Sequence, residues 1–589
     1  MKMEQQPQEL IDADVVIIGA GVVGGLMAWR LSEQGLNVAV LDAGARVDRV
    51  DAINRYKANP DKEANSPYRM MPWAPVPDDK DPLSYYVQPG LAKPGQPQQP
   101  KQQIAFAGFF MRLVGGTSWH WTGHAERLYP NDFRTRSAYG VGVDWPLSYD
   151  ELEPYYYQVE QAWGVAGDAD CVAPPRKDPY PLPVVPRSYL DIQVGKVAQA
   201  VIGHDTQPLP HCRNSLPYDD RPQCCGNASC LPICPIGAKY DAHVHVLKAE
   251  QQGSRVLANR VAVQVALDES QQQVTGIYYR NFDQDAKGSL GLARAKIYVL
   301  AAHAVETPRL MLLSAGKENV PAAGLSNSSG QVGRNLMGFA NINTVGYAPA
   351  DNPVYPYRGP VSATGAIGGW RDGEFRKEYA SIAPFTINGA FKFGTGPLDE
   401  AAQAIDEGYL GSALRQRVDE MTARQVNLHS TVEVMPNPDN RVSLAYDQLD
   451  PLGLPRPKLD FKLDDYTLRG CRVAWDAHLK IFNQMGVARR DGGQLQPNEA
   501  NWQKLLRGEL DKTYYSLTSG DAVIAGTVRM GDDPASAVVD RHCRSFDHQN
   551  LYIVGTCNYP TIGSASPSLT AAALGLRSAD QIAANFFKD

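Results

Sequence analysis

Long hydrophobic runs are missing from this chain: none of its 589 residues lie in an uninterrupted apolar stretch of the roughly 18 residues that a membrane-spanning helix needs. Basic charge is also scarce. Lys and Arg number 57 against 64 Asp and Glu, a net charge of −7, and no basic run stands out, which argues against nucleic acid as a partner. Cysteine is uncommon, with nine residues forming an odd set too small for a disulfide framework at this length. The first ten residues are polar, without a twin arginine or an apolar signal core, so passage across a membrane is expected to rely on a partner's signal. There is no repeat of 20 to 50 residues. A hydrophobic content of 43% with 21% charge describes an ordinary globular chain, large enough for two closely associated domains.

What is present begins with a nucleotide signature. Asp14-Val-Val-Ile-Ile18 is a short β-rich run, followed by Gly19-Ala20-Gly21-Val-Val-Gly24, a helical pattern to Gln34 and a second strand ending at Asp42. Gly19 permits a tight turn, Gly21 lets a pyrophosphate approach a helix N-terminus, and Gly24 allows close helix–strand packing. Asp42 is then available to a ribose hydroxyl. A glycine-rich turn that binds nothing is the bland alternative, but the strand, helix and second strand that the motif requires are all there. Gly115-Gly116-Thr117-Ser118-Trp119-His120-Trp121 adds a glycine turn with crowded aromatics, as suits a flat ring system. Near the C-terminus a strand ending at Gly555 leads through a loop to a helix from Ser568, further candidates for the cofactor site.

Four of the nine cysteines fall within eleven residues: Cys224, Cys225, Cys230 and Cys234, the last followed by Pro235. The ending Cys-x3-Cys-Pro matches the tail of a bacterial ferredoxin run, where thiolates hold an iron–sulfur cluster. Zinc is the weaker reading, because no histidine lies between Cys224 and Cys234 and the cysteines are not in two separated pairs. Adjacent cysteines in extended backbone point in opposite directions, so Cys224 and Cys225 are not expected to serve one cluster equally.

Taken together, the Gly-Gly-Thr-Ser-Trp-His-Trp segment, the cysteine spacing and Gly526-Thr-Val-Arg-Met-Gly531 resemble the glucose–methanol–choline (GMC) oxidoreductases over nearly the whole chain. The nearer likeness is to the flavoprotein large subunits of bacterial membrane-bound gluconate 2-dehydrogenase, fructose dehydrogenase and FAD glucose dehydrogenase. The resemblance implies an α/β fold: a Rossmann-like FAD-binding domain with a discontinuous antiparallel-sheet substrate domain. It implies FAD, a 3Fe-4S cluster on Cys224, Cys230 and Cys234 with Cys225 as the spare, and a cytochrome c partner. It also implies a small twin-arginine-exported subunit that carries the pair to the periplasmic side of the inner membrane; a cytoplasmic location is the alternative. In some relatives the histidine matching His120 is bonded covalently to the flavin, and a histidine packed beside the ring without a bond is equally open. The expected divisions are 12–170, 241–345 and 515–589 for the FAD domain, 171–240 for an irregular cysteine-rich segment, and 346–514 for the substrate domain. A Pro/Gln-rich stretch from Pro72 to Gln103 reads as an exposed loop.

One departure is chemical. The family's proton-accepting histidine falls eight residues before Gly531, on Val523, and its second histidine or asparagine falls on Ser566. Valine moves no proton, and a neutral serine is a poor base on its own. Losing a positioned base costs about 10²–10⁴ in rate. His542, His548, His429 and Tyr559 are candidate substitutes that sequence alone does not locate. The functional expectation is electron flow from a sugar, sugar acid or polyol through flavin and cluster to a cytochrome. The alternatives are a flavin dehydrogenase of a non-sugar metabolite with a relocated base or none, and a catalytically inactive cofactor-bearing subunit.

Overall fold

A computed structural model of the chain describes residues 6–59, 65–78, 81–89, 104–168, 170–171, 174–226, 230–358, 364–388 and 396–588. The proline-rich run at 94–100 lies outside them. The first layer is a seven-stranded sheet in the order Arg255–Leu257, Val38–Leu41, Glu9–Ile18, Ser289–Leu300, Val274–Asn281, Arg260–Leu267, with Leu551–Ile553 also pairing on Ser289–Leu300. Its centre is parallel, and the Arg260–Leu300 meander closes one side in antiparallel fashion. Val15, Val16 and Ile17 have no exposed surface, as expected of a central strand covered on both faces. The helix Val22–Glu33 leaves the first strand and packs between His243–Gln251 and the C-terminal helix Ser568–Phe586.

The second layer is a six-stranded antiparallel sheet in the order Tyr515–Ala525, Met337–Tyr347, Gln425–Glu433, Ile382–Asn388, Gly365–Ile367, Gln207–Pro208. The expected divisions at 345/346 and 514/515 therefore shift. The second sheet starts at Met337 and takes in Tyr515–Ala525, because the chain crosses over directly after the turn at Gly333-Arg-Asn-Leu336. The long helix Asp465–Met485, capped by Asp464 accepting from the Thr467 N–H at 2.7 Å, covers the outer face of this sheet. Its apolar stripe is buried at Cys471, Trp475, Leu479 and Phe482. The cysteine-rich segment is only partly irregular. Tyr189–Ile202 is a helix with a Ser188/Asp191 capping box, whereas from Leu209 to Ala242 the described residues form only isolated bridges and turns.

The layers are joined by a buried charge cluster. Arg376, with no exposed surface, donates to Asp132 Oδ1 and to Glu433 Oε2, each at 2.7 Å. Ser564 Oγ donates to Asp132 Oδ2 at 2.7 Å, and the Gly563 N–H donates to Glu433 Oε1 at 3.1 Å. Removing one member of a buried ion pair leaves an uncompensated charge. Arg376→Met is therefore expected to cost about 3–5 kcal/mol, read as a lower denaturation midpoint. The double change Arg376→Met with Glu433→Gln is expected to lose less than the sum of the singles.

Candidate active site

A cavity of about 810 Å³ lies between the layers. Gly19, Gly21, Asp42, Gly116, Thr117, His120, Trp121, Gly555 and Ser568 line it, so the cofactor candidates converge on one space; Gly24 and Gly115 do not line it but shape its walls. A Cβ on Gly24 would stand 1.8 Å from the Gly19 carbonyl oxygen, so strand and helix meet this closely only through glycine. A Cβ on Gly21 would meet nothing within 4 Å, which leaves its cavity side open to a ligand. Gly21 is also the N-cap of the helix Val22–Glu33 and no side chain caps it, so the first backbone N–H groups are available to a pyrophosphate. Asp42 is buried, accepts from the Ala20 and Gly44 N–H groups at 2.8 Å each, and is pushed by burial up to about 6. The glycine turn at 115–116 is held by Thr117, whose Oγ1 accepts from the Met111 N–H at 3.0 Å, and by Trp119, which donates to the Val114 carbonyl at 2.8 Å. His120 is buried with its ring 5.1 Å from that of Phe109. The residues fit a dinucleotide with a flat ring system.

A buried ionic cluster closes another part of the cavity. Glu306 accepts from Tyr85 and pairs with Arg112, and Arg309 bridges Glu306 at 3.2 Å to Asp450 at 2.6 Å. Burial works against its charge, but Arg112 and Arg309 hold Glu306 below the usual carboxylate range. The cluster ties the helix His303–Leu313 to the hairpin Arg441–Leu449/Pro455–Asp460 through Asp450 in its turn.

The floor is the inner face of the second sheet, and it is polar. The strand registers set Thr518, Asn341 and Thr431 in one cross-strand row and Ser516, Asn343 and His429 in the next, with Asn427 beyond. Side chains two apart share a face, so these strands direct their amides and hydroxyls into the cavity. They direct Ile342, Leu428 and Val432 toward the covering helix. His429 Nδ1 lies 2.6 Å from Asn343 Oδ1; because an amide oxygen only accepts, His429 carries its proton on Nδ1. Asn341 is 1% exposed and Asn427 7%, and neither Oδ1 has a protein partner. Buried acceptors left unsatisfied by protein point to a ligand that donates hydrogen bonds.

Val523 and Ser566, the two positions singled out in the sequence, both line the cavity. Of the substitutes, only His429 lines it. His542 is on the surface side with its backbone held by Asp540. His548 is packed between the Ser326 N–H at 3.2 Å and the Gln271 carbonyl at 3.0 Å. Tyr559 is fully buried and donates to the Pro567 carbonyl at 2.6 Å, which positions the loop after Ser566. Those three do not reach a substrate in the cavity. A titratable pair that the motifs did not single out does line it: His124 and Glu126. Glu126 is 2% exposed and burial pushes it up to about 7, with Arg371 opposing.

The cysteines border the same cavity through Leu231. No cysteine is in a disulfide; Cys230 and Cys234 are buried, Cys224 is partly buried and Cys225 is exposed. Burial raises Cys224, which also feels Arg213, Cys230 and Cys234. The Gly226 N–H donates to Cys224 Sγ at 3.4 Å, and Arg213 donates to Cys230 Sγ at 3.5 Å. Among the described residues no group of three or more His, Cys, Asp or Glu is placed to hold a single metal ion. Lys239 is buried beside the cysteines and donates to the carbonyls of Trp119 at 3.1 Å and Trp121 at 2.7 Å, linking the cysteine segment to the aromatic loop.

Residues 142–339 and 436–575 match the family described as GMC oxidoreductase. The chain is 35% identical to the fructose dehydrogenase large subunit of Gluconobacter japonicus, over 98% of each chain. The chain belongs to the GMC oxidoreductases. This GMC chain is also 25% identical to the gluconate 2-dehydrogenase flavoprotein of Pantoea cypripedii, covering 99% of this chain and 95% of that one. Among solved structures it is similar in fold to formate oxidase, with a TM-score of 0.65 at 15% identity over 98% and 99% of the two chains. Pyridoxine 4-oxidase from Mesorbium loti gives a TM-score of 0.61 at 18% identity over 96% and 98%. As a GMC oxidoreductase it is an FAD-dependent enzyme. Gly21→Val fills the open side of the phosphate turn and is expected to leave the purified protein with little bound flavin. The ratio of flavin to protein absorbance reads this, with the far-ultraviolet spectrum unchanged.

Proposed function

We propose that this GMC oxidoreductase is a dehydrogenase of a sugar, sugar acid or other polyol, passing electrons from its flavin through an iron–sulfur cluster to a haem partner. The carrying observation is the polar floor. Asn341, Asn343, Asn427, His429, Thr431, Ser516 and Thr518 offer several hydrogen-bonding positions on one face, which suits a molecule with several hydroxyls better than an apolar alcohol. The similarity to fructose and gluconate dehydrogenase flavoproteins supports the same class. When bound, FAD supplies the hydride acceptor. The chain's own part is to orient the substrate by the floor and to hold the ring through the loop 115–121. Burying a hydroxyl that the floor fully satisfies costs little, whereas a substrate lacking one leaves an amide unpaired, which is the source of selectivity.

For the electron exit, the reading takes Cys224, Cys230 and Cys234 as cluster ligands. The mutual influence of the three thiols, their N–H donors and the exposure of Cys225 support it. Lys239 and Leu231 keep that segment against the flavin loop, a short route for single electrons. A cytochrome c subunit and a small exported subunit that brings the chain to the periplasm complete the proposal. They would explain how a chain in which no described helix is long and apolar enough to cross a membrane serves a membrane-bound complex.

Anaerobic mixing with a panel of polyols, aldonates and simple alcohols tests the substrate class. Bleaching of the oxidised-flavin band by polyols is expected. Bleaching by none of them, with dithionite reduction intact, overturns it. Asn343→Ala, which removes the partner of His429, is expected to raise KM for polyols by about tenfold, roughly the worth of one hydrogen bond. Cys224→Ser is expected to abolish the broad iron–sulfur absorbance and Cys225→Ser to retain it; the reverse result reassigns the ligand. A flavin that precipitates with the protein in acid carries a bond to the chain, and His120→Ala is then expected to release it.

A further inference from the structure

Val523 and Ser566 do not themselves supply the proton acceptor that alcohol oxidation requires. The segment that packs beside the Ser566 loop carries a candidate acceptor. Arg371, 6% exposed, donates through Nε to the Ser564 carbonyl at 2.8 Å and through Nη2 to the Arg127 carbonyl at 2.7 Å. A single guanidinium thus holds the Ser566 loop against the segment that contains Glu126, and both residues line the same cavity. Glu126 Oε2 is buried without a protein partner, and Oε1 lies 4.0 Å from His124 Nδ1. Arg127 next to it turns the other way, into Glu160 and Glu153.

We propose that Glu126 is the proton acceptor of this active site, taking the role left empty at Val523 and Ser566. The assignment rests on the reading that the cavity oxidises an alcohol. The substrate's O–H bond breaks and its proton goes to Glu126 Oε2. The C–H bond breaks with its electron pair, which leaves as hydride to the flavin, so the carbinol carbon becomes a carbonyl carbon and the flavin is reduced. The groups that face Glu126 are His124 on its own segment, Arg371 from the second layer and Cys212 from the cysteine segment, with His211 behind His124. The ring of His211 lies 4.9 Å from that of His124, and Cys212 is raised in part by the nearby carboxylate. Burial pushes the carboxyl up and Arg371 pulls it back, leaving it at about 7, where a carboxylate is a far stronger base than in water and is still half ionised at neutral pH. Only the ionised form accepts a proton, so kcat/KM is expected to rise with pH through about 7.

The test uses the flavin-loaded protein. A protonated-carboxyl infrared band is expected to disappear as pH rises through about 7 and to be missing from E126Q, while the lower-pH band of Asp42 stays in both. E126Q is expected to bind flavin normally and to slow flavin reduction by the best polyol about 10²-fold or more, with the pH dependence lost. Glu126→Asp is expected to recover part of the rate, which guards against a merely structural defect. An unchanged infrared band in E126Q, or reduction as fast as in the wild-type protein, overturns the assignment and leaves the substrate reading standing. A wild-type protein that no polyol reduces removes the substrate reading and the base with it, so the two failures look different.

Discussion

The site depends on one constraint: three ionisable groups, Asp132, Arg376 and Glu433, with no exposed surface, must be held against one another between the layers. Desolvating such groups is expensive, and their mutual attraction compensates only if the geometry is held. Holding it fixes three segments at once. Asp132 belongs to the turn that follows the Glu126 segment, Arg376 to the loop before the inner strands of the second sheet, and Glu433 to the end of the strand that carries His429. Because Ser564 and Gly563 also bond to the acids, the loop that contains Ser566 is fixed to the same point. The wall and floor of the cavity are therefore positioned by a polar cluster as well as by apolar packing, and specificity of arrangement is the best account of why buried ions are tolerated there.

The dinucleotide motif was legible because each of its glycines answers to local geometry. Gly24 admits the strand–helix contact and Gly21 faces open space, and both requirements are written in a few consecutive residues. In the helix Asp465–Met485 the apolar residues recur at helical spacing, which sets Trp475 and Phe482 on the covered face. The floor was not. Asn341-x-Asn343 and Asn427-x-His429-x-Thr431 have strand periodicity, but alternating polar residues on a strand ordinarily mark the solvent face. Only the meeting of the two layers turns that face into a cavity wall. The domain divisions moved for a related reason. Met337–Tyr347 and Tyr515–Ala525 pair with each other across nearly 200 residues, and pairing of that range has no local signature.

Glu126 was passed over because its segment has no regular structure and its neighbours carry the more conspicuous aromatics. Its environment is tertiary: Arg371 arrives from the second layer, Cys212 from the cysteine segment, and burial from both. Among the four substitutes that sequence suggested, three are histidine or tyrosine side chains whose polar atoms are occupied by the backbone or lie at the surface. Residue type identified them, and geometry removed them.

A histidine base and a carboxylate base make different demands on the surrounding field. A histidine becomes positive when it takes a proton, whereas a carboxylate becomes neutral, so a cavity built for the second can tolerate fixed cations nearby. Two such cations stand behind its walls: Arg371, which pulls on the Glu126 charge and holds the Ser566 loop, and Lys239 behind the 115–121 loop. Both ammonium and guanidinium would oppose a positive base at Val523 or Ser566, but both favour an anionic group that must stay ionised despite burial. The same cations would favour the negative charge that builds on a reduced flavin. Valine at 523 and serine at 566 are then consistent with a site whose positive charge has been moved from the proton acceptor to its surroundings, where it can serve the proton and electron steps together.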